Sequence, residues 1–200
     1  MVITDPVLLK GRDPVAVCRA AVQGGATMIQ VRWKDGAPAD LLELTRALVA
    51  TLPVPVLVND RADVALAAGA AGAHLGWDDP PLESLRPHLP AGFLLGLSVG
   101  TPEEAQQAMA TSADYWSIGP CFATPTKRDA GTPLGAEGFV ALAARAPEGT
   151  PVIGIGGITA SNAGDITRAG AAGVAVIGAV LSAPNPETAA RALRAALALS

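Results

Sequence analysis

Short β-branched runs alternate with Ala/Leu-rich stretches of helical period along the whole chain, and this alternation restricts the fold more than any other feature. The runs are Val2-Ile3-Thr4, Met28 to Arg32, Val56 to Asn59, Gly72 to Gly76, Leu94 to Val99, Tyr115 to Gly119, Val152 to Gly156 and Val174 to Ala179. Helical patterns separate them, among them 102–111, 136–146 and 159–169, and a last one lies near 186–198. Gly24-Gly25-Ala26, Ala68-Gly69-Ala70-Ala71-Gly72 and Ala169-Gly170-Ala171-Ala172-Gly173 each end a helix and lead into a strand, as a left-handed C-cap and a short turn require. Eight strands alternating with eight helices through right-handed crossovers leave an open doubly wound sheet or a closed barrel, and eight units favour closure. The expected fold is therefore α/β, a compact single-domain (βα)8 TIM barrel over residues 1–200 with lean connections.

Composition narrows the partners. The formal charge is 14 − 18 = −4 with no run of like charges, so a general nucleic-acid or anionic-membrane surface is not expected and any anion site is local. Cys18 and Cys121 show no metal-ligand spacing and do not signal secretion. The start has no basic segment followed by a long apolar one, and charged residues, Gly and Pro interrupt every apolar run before it reaches membrane-spanning length. A cytoplasmic protein is expected.

In a barrel of this kind the chemistry belongs where strands end and βα loops begin. The long connection Gly119 to Gly135 carries Thr124, Thr126 and Lys127 among prolines and glycines. Taken alone it reads equally as a polar surface loop or as an anion-binding one; matching chemistry at other strand ends favours the second. At the second strand Gln30, Arg32 and Lys34 share one parity, so alternation aims three polar groups one way while Ile29, Val31 and Trp33 point oppositely. Asn59-Asp60 ends the third strand and Gly76-Trp77-Asp78-Asp79 the fourth. Asp79, directly before Pro80, reads as a helix cap, leaving Asp60 and Asp78 as two carboxylates able to hold Mg²⁺, a hard ion that uses one or two such ligands with water and phosphate oxygens. Ser98 is either a cap or core hydroxyl or, by its parity with Gly96, a group facing the mouth. Gly156-Gly157 and Gly178 lie after the seventh strand and at the eighth, where barrels commonly build phosphate sites from backbone amides, although tight turns use the same spelling. His74 reads as a hydrogen-bonded core histidine, and no Ser-His-Asp or Cys-His set points to covalent catalysis.

In this order, Gln30-Val31-Arg32-Trp33-Lys34, Val58-Asn59-Asp60-Arg61, Gly72 to Asp79, Gly96-Leu97-Ser98, the Gly119 to Gly135 loop and Ile155-Gly156-Gly157-Ile158 resemble thiamine phosphate synthase along nearly the entire chain. The resemblance implies a (βα)8 transferase that joins 4-amino-2-methyl-5-hydroxymethylpyrimidine diphosphate to 4-methyl-5-(2-phosphoethyl)thiazole, giving thiamine phosphate and pyrophosphate by a dissociative route. It implies Mg²⁺ on Asp60 and Asp78. Arg32, Lys34 and Lys127 would hold the diphosphate and, with Ser98, form the catalytic group. Gln30 and Asn59 would line the pyrimidine side with Ser98, and Thr124, Thr126, Gly157, Ile177 and Gly178 would hold the thiazole phosphate. Small-molecule substrates and a possible homo-oligomer are the partners implied.

The chain departs from the family pattern in places. Trp33 stands where Glu is usual and Trp77 where Gln is usual; both are expected to pack near the mouth in place of a polar contact. Val99-Gly100 replaces the usual Thr-His, and Gly178 stands where Ser is common. The chain begins directly at strand one, so a less covered barrel floor that favours self-association is expected. Two alternatives share the fold: the related thiazole tautomerase, which uses a histidine for proton transfer, and a noncatalytic phospholigand-binding barrel. Retention of Arg32, Lys34, Asp60, Asp78 and Lys127 argues against the first, and ligand binding without product would select the second.

Overall fold

In the computed structural model, which describes residues 1–124 and 131–198, eight parallel strands pair strictly in sequence order. They are β1 Val2–Ile3, β2 Ile29–Val31, β3 Val56–Asn59, β4 Gly72–Leu75, β5 Leu94–Val99, β6 Tyr115–Ile118, β7 Val152–Ile155 and β8 Gly173–Ala175. A parallel bridge from Val2 to Val176 closes the sheet, with the Ile3 amide donating to the Val176 carbonyl at 2.9 Å and the Val176 amide to the Met1 carbonyl at 3.1 Å. The result is a TIM barrel.

The helices are α1 Pro6–Leu9, α2 Pro14–Gln23, α3 Pro38–Thr51, α4 Ala62–Ala68, α5 Leu82–Leu85, α6 Pro102–Ala108, α7 Gly135–Ala143, α8 Ala163–Arg168, α9 Gly178–Leu181 and α10 Pro186–Ala198. There are thus ten α-helical segments among the described residues rather than the eight expected. The β1–β2 connection holds two of them because Asp5-Pro6 and Asp13-Pro14 each start a helix. Both aspartates accept from the next free amides, and each proline supplies a preset φ at a position needing no donor. The eighth strand was expected to run to Ala179, but it ends at Ala175 and Gly178 opens α9.

The expected helix ends appear as left-handed glycines, with φ of 102° at Gly25, 70° at Gly69 and 98° at Gly170. At Gly24 the reason is closeness instead: a Cβ there would collide with the Glu187 carbonyl, so glycine lets α10 pack across α2. Ile29, Val31, Val58 and Leu95 are wholly buried between the barrel and its helices, Leu48, Ala65 and Ala105 cover them from α3, α4 and α6, and Leu57, in register with Gln30, fills the barrel interior. At the barrel floor a cavity of about 190 Å³ is lined by Val174, Leu193 and Leu197 among others. Among the described residues no helix is long and apolar enough to cross a membrane.

Candidate active site

Arg32 lies one residue beyond β2, at the end of the barrel where the strands finish. Its Nη1 sits 3.0 Å from Asp5 Oδ2. Its amide donates to Thr4 Oγ1 at 2.9 Å, and its carbonyl accepts from the same hydroxyl at 3.1 Å. Asp5 also caps α1 through its other oxygen, so one carboxylate fixes both the helix start and the guanidinium. Neither Thr4 nor Asp5 was singled out from sequence as a site residue; the available signal was an Asp before Pro6 at a strand end. Lys34 is exposed in the same loop. The Trp33 ring lies over Gly36, where a Cβ would approach it to 2.5–2.7 Å, so Trp33 packs on its own loop.

Asp60 follows β3 in a left-handed conformation, φ 65°, its amide donating to the His74 carbonyl at 2.8 Å. Aspartate tolerates this region better than most side chains. Burial pushes the Asp60 carboxyl up to about 6, the facing Asp79 carboxylate adds to the rise, and Lys34 and Arg32 oppose it. Those influences place Asp60, Asp79, Lys34 and Arg32 in one cluster.

The expected pairing of Asp60 with Asp78 is therefore corrected: the carboxyl that meets Asp60 belongs to Asp79, while Asp78 is exposed. Asp79 is not a cap either, since α5 begins after Pro81 without a side-chain cap bond. Instead Asp79 Oδ2 accepts from the Gly76 amide at 2.7 Å, turning the side chain back toward the mouth. The alternation that put Asp78 with His74 stops at Leu75, where β4 ends. Two carboxyls in hydrogen-bond contact need a shared proton or a cation. No group of three His, Cys, Asp or Glu suited to a metal occurs among the described residues. A two-carboxylate set with open positions fits Mg²⁺, which keeps water and phosphate oxygens in its shell.

Ser98 is half-buried on β5 and does not cap α6, a task taken by Thr101 with Glu104 in a capping box. Its Oγ lies 3.0 Å from His74 Nε2, and its carbonyl accepts from the exposed Trp77 indole N–H at 2.9 Å. The two tryptophans were expected to pack near the mouth in place of a polar contact; Trp77 is instead exposed and makes a polar contact there, and Trp33 packs on its own loop. Gln30, expected beside Arg32 and Lys34, lies inside the barrel at 2% exposure, its amide donating to Met1 Sδ at 3.6 Å and bonding Tyr115. Asn59 is half-buried at the end of β3, in register with His74.

His74 is buried with both ring nitrogens partnered, and burial lowers it from 6.5 to about 4. Between those values the unfolded chain binds a proton the folded one refuses, so this contribution is complete above pH 6.5 and is lost as pH falls toward 4. The loss amounts to roughly 3 kcal/mol. Urea unfolding at pH 7.5 and pH 5 should show a larger drop for the native chain than for His74→Gln; equal drops would contradict a neutral His74.

The base of the sixth loop rests on the seventh. The Cys121 amide donates to the Ile155 carbonyl at 2.7 Å and the Phe122 amide to the Gly156 carbonyl at 3.0 Å. Gly156 and Gly157 adopt φ of 92° and 64°, and a Cβ on Gly157 would stand 2.5 Å from the Ala123 carbonyl oxygen. Asn162 donates to the Gly157 carbonyl at 3.1 Å from the start of α8. Thr124 is half-buried where this loop leaves its neighbours, whereas Thr126 and Lys127 lie outside the described residues. Ile177 and Gly178 form the entry to α9. The two thiols are buried, and burial pushes Cys18 up to about 12 and Cys121 to about 11, which leaves both protonated and unreactive at neutral pH.

Residues 1–180 match the family model described as thiamine monophosphate synthase. The thiamine-phosphate synthase of Roseiflexus sp. (strain RS-1) is 47% identical over 200 residues, covering 98% of this chain and 84% of that protein. The corresponding protein of Chloroflexus aurantiacus is 44% identical over 202 residues, covering 100% and 92%. Among solved structures, a thiamine phosphate pyrophosphorylase from Pyrococcus furiosus superposes with a TM-score of 0.89 at 35% identity, covering 99% of this chain and 94% of that one. An orotidine 5'-phosphate decarboxylase from Pyrococcus horikoshii, at TM-score 0.74 and 17% identity, shares the fold alone. With near-complete coverage of both partners and a barrel that superposes throughout, the chain belongs to the thiamine-phosphate synthase family of transferases.

Proposed function

We propose that this chain joins 4-amino-2-methyl-5-hydroxymethylpyrimidine diphosphate to 4-methyl-5-(2-phosphoethyl)thiazole, releasing pyrophosphate and forming thiamine phosphate. The observation that carries this reading is the meeting of Asp60 and Asp79 beside Arg32 and Lys34, a paired-carboxylate and cation cluster suited to a diphosphate. Asp60 and Asp79 would hold Mg²⁺, which when bound neutralises charge growing on the departing diphosphate. Arg32, already fixed by Asp5, offers its guanidinium to phosphate oxygens with little further ordering, and Lys34 adds a compact charge. Lys127 belongs to the same role from the sixth loop.

Ser98 and Asn59 would face the pyrimidine at the ends of β5 and β3, with Gln30 supporting them from below. Thr124, Thr126, Gly157 and the amides at Ile177 and Gly178 would take the thiazole phosphate. Glycine at 178 lacks a hydroxyl but keeps its backbone donor, so weaker phosphate contacts rather than none follow. In a dissociative step the bond from the exocyclic carbon to the diphosphate breaks first, pyrophosphate leaving with the electron pair, and the thiazole nitrogen then attacks the pyrimidine-methyl cation that remains. The protein supplies charge stabilisation and no nucleophile. Such a biosynthetic enzyme would work in the cytoplasm. The test is formation of thiamine phosphate and pyrophosphate from the two phosphorylated precursors.

A further inference from the structure

Most aromatic side chains of this barrel serve packing. Phe93, Tyr115, Trp116 and Phe139 are buried, Phe122 is half-buried against the core, and Trp33 lies on its own loop. Trp77 differs. It stands two residues beyond the end of β4 and keeps 37% of its surface open. The side chain is nevertheless held, because its indole N–H donates to the Ser98 carbonyl at 2.9 Å. β4 and β5 pair as far as Leu75 and Leu97, so the carbonyl that the indole takes lies just past their last paired residues. One edge of the ring is thereby anchored where the two strands finish.

Trp77 stands between the two ends of the proposed pyrimidine diphosphate site. Ser98 is its hydrogen-bond partner on one side; on the other, two residues along the same turn, Asp79 folds back onto the Gly76 amide at 2.7 Å. The space beneath Ser98 is filled. His74 Nε2 lies 3.0 Å from the Ser98 Oγ, and the imidazole stacks on Tyr115 with centroids 5.5 Å apart, both rings buried. A substrate that reaches from Ser98 to the Asp79 carboxylate therefore lies at the rim, alongside Trp77. The only polar hydrogen of the indole is already committed to Ser98, so what the open part of the side chain offers is apolar and π surface. Such a surface recognises a flat, electron-poor ring by offset stacking.

We propose that Trp77 is the specificity-determining residue for the aromatic half of the diphosphate substrate, its ring forming the wall on which the pyrimidine stacks. The inference rests on the proposed function, in which Ser98 lines the pyrimidine side and Asp60, Asp79, Arg32 and Lys34 serve the diphosphate. The wall acts on the ring and not on the phosphates, so its removal leaves recognition of a bare diphosphate intact.

Calorimetric titration in the presence of Mg²⁺ tests this without turnover, with the pyrimidine diphosphate and inorganic pyrophosphate as the two probes. Trp77→Leu should bind the pyrimidine diphosphate about three- to tenfold more weakly than the native protein, as for one lost aromatic pair, and should bind pyrophosphate as before. Trp77→Phe keeps a ring but has no N–H, and it should regain most of the lost affinity. A phenylalanine variant as weak as the leucine variant would assign the effect to the Ser98 hydrogen bond and overturn the stacking role. Unchanged affinity in Trp77→Leu, or an equal weakening for both probes, would overturn it too. If Trp77→Leu does not fold, Trp33→Phe protein decides, because Trp116 is 1% exposed and Trp77 is then the only open indole. The pyrimidine diphosphate should quench its emission and pyrophosphate should not; the same response to both contradicts the proposal. Native protein that binds the pyrimidine diphosphate no better than pyrophosphate and makes no thiamine phosphate would overturn the substrate assignment itself, whereas active native protein with an unaffected Trp77→Leu variant would overturn the role of Trp77 alone.

Discussion

Asp79→Ala should lower kcat/KM at saturating Mg²⁺ by about a hundredfold or more, while Asp78→Ala should stay within a few-fold of the native enzyme. Adjacent residues of one type separate the roles cleanly because the substitutions have the same chemistry and nearly the same place in the chain. Asp79 turns back onto the Gly76 amide and meets Asp60; Asp78 points to solvent. Removing Asp79 takes away one of two carboxylates and frees the Gly76 amide at once, so the loss should include a higher Mg²⁺ requirement. Titrating Mg²⁺ for each variant reads this directly. Equal losses for both variants, or a greater loss for Asp78→Ala, would restore the pairing read from sequence.

Gly157→Ala should raise the KM for the thiazole phosphate about tenfold and lower the melting temperature, leaving the KM for the pyrimidine diphosphate within about twofold. Two independent strains act at this position. A φ of 64° costs an alanine roughly 1 kcal/mol, and its Cβ would stand 2.5 Å from the Ala123 carbonyl oxygen and 2.8 Å from the Phe122 carbonyl carbon. The clash is with backbone, so no side-chain rotation relieves it. Either the seventh loop or the base of the sixth must move, and both belong to the proposed phosphate pocket. Equal changes in the two KM values would place Gly157 in general stability rather than in the acceptor site.

The sequence made the barrel legible because strand and helix periods alternate without interruption, and the strand cores appeared where the β-branched runs lie. Its errors fall where periodicity stops. Parity along β2 correctly directs Gln30 inward, but Arg32 and Lys34 lie beyond Val31 and take their places from Asp5 and a loop. Parity along β4 correctly aligns His74, yet past Leu75 a turn decides direction and selects Asp79 over Asp78. The eighth strand was read too long because Val176-Ile177 continues an apolar run that the chain spends on closing the barrel and starting α9. The Asp5–Arg32 pair and the His74–Tyr115 stack span 27 and 41 residues, distances over which no local pattern carries information. Lys127 and Thr126, central to the sequence reading, lie outside the described residues.

The most direct test of the account is a product assay with both phosphorylated precursors, run with Mg²⁺ and with a chelator. Thiamine phosphate and pyrophosphate in equal amounts, formed only when the metal is present, is the predicted result. Folded protein that binds either precursor yet forms no product with Mg²⁺ would contradict it and leave a phospholigand-binding barrel in its place.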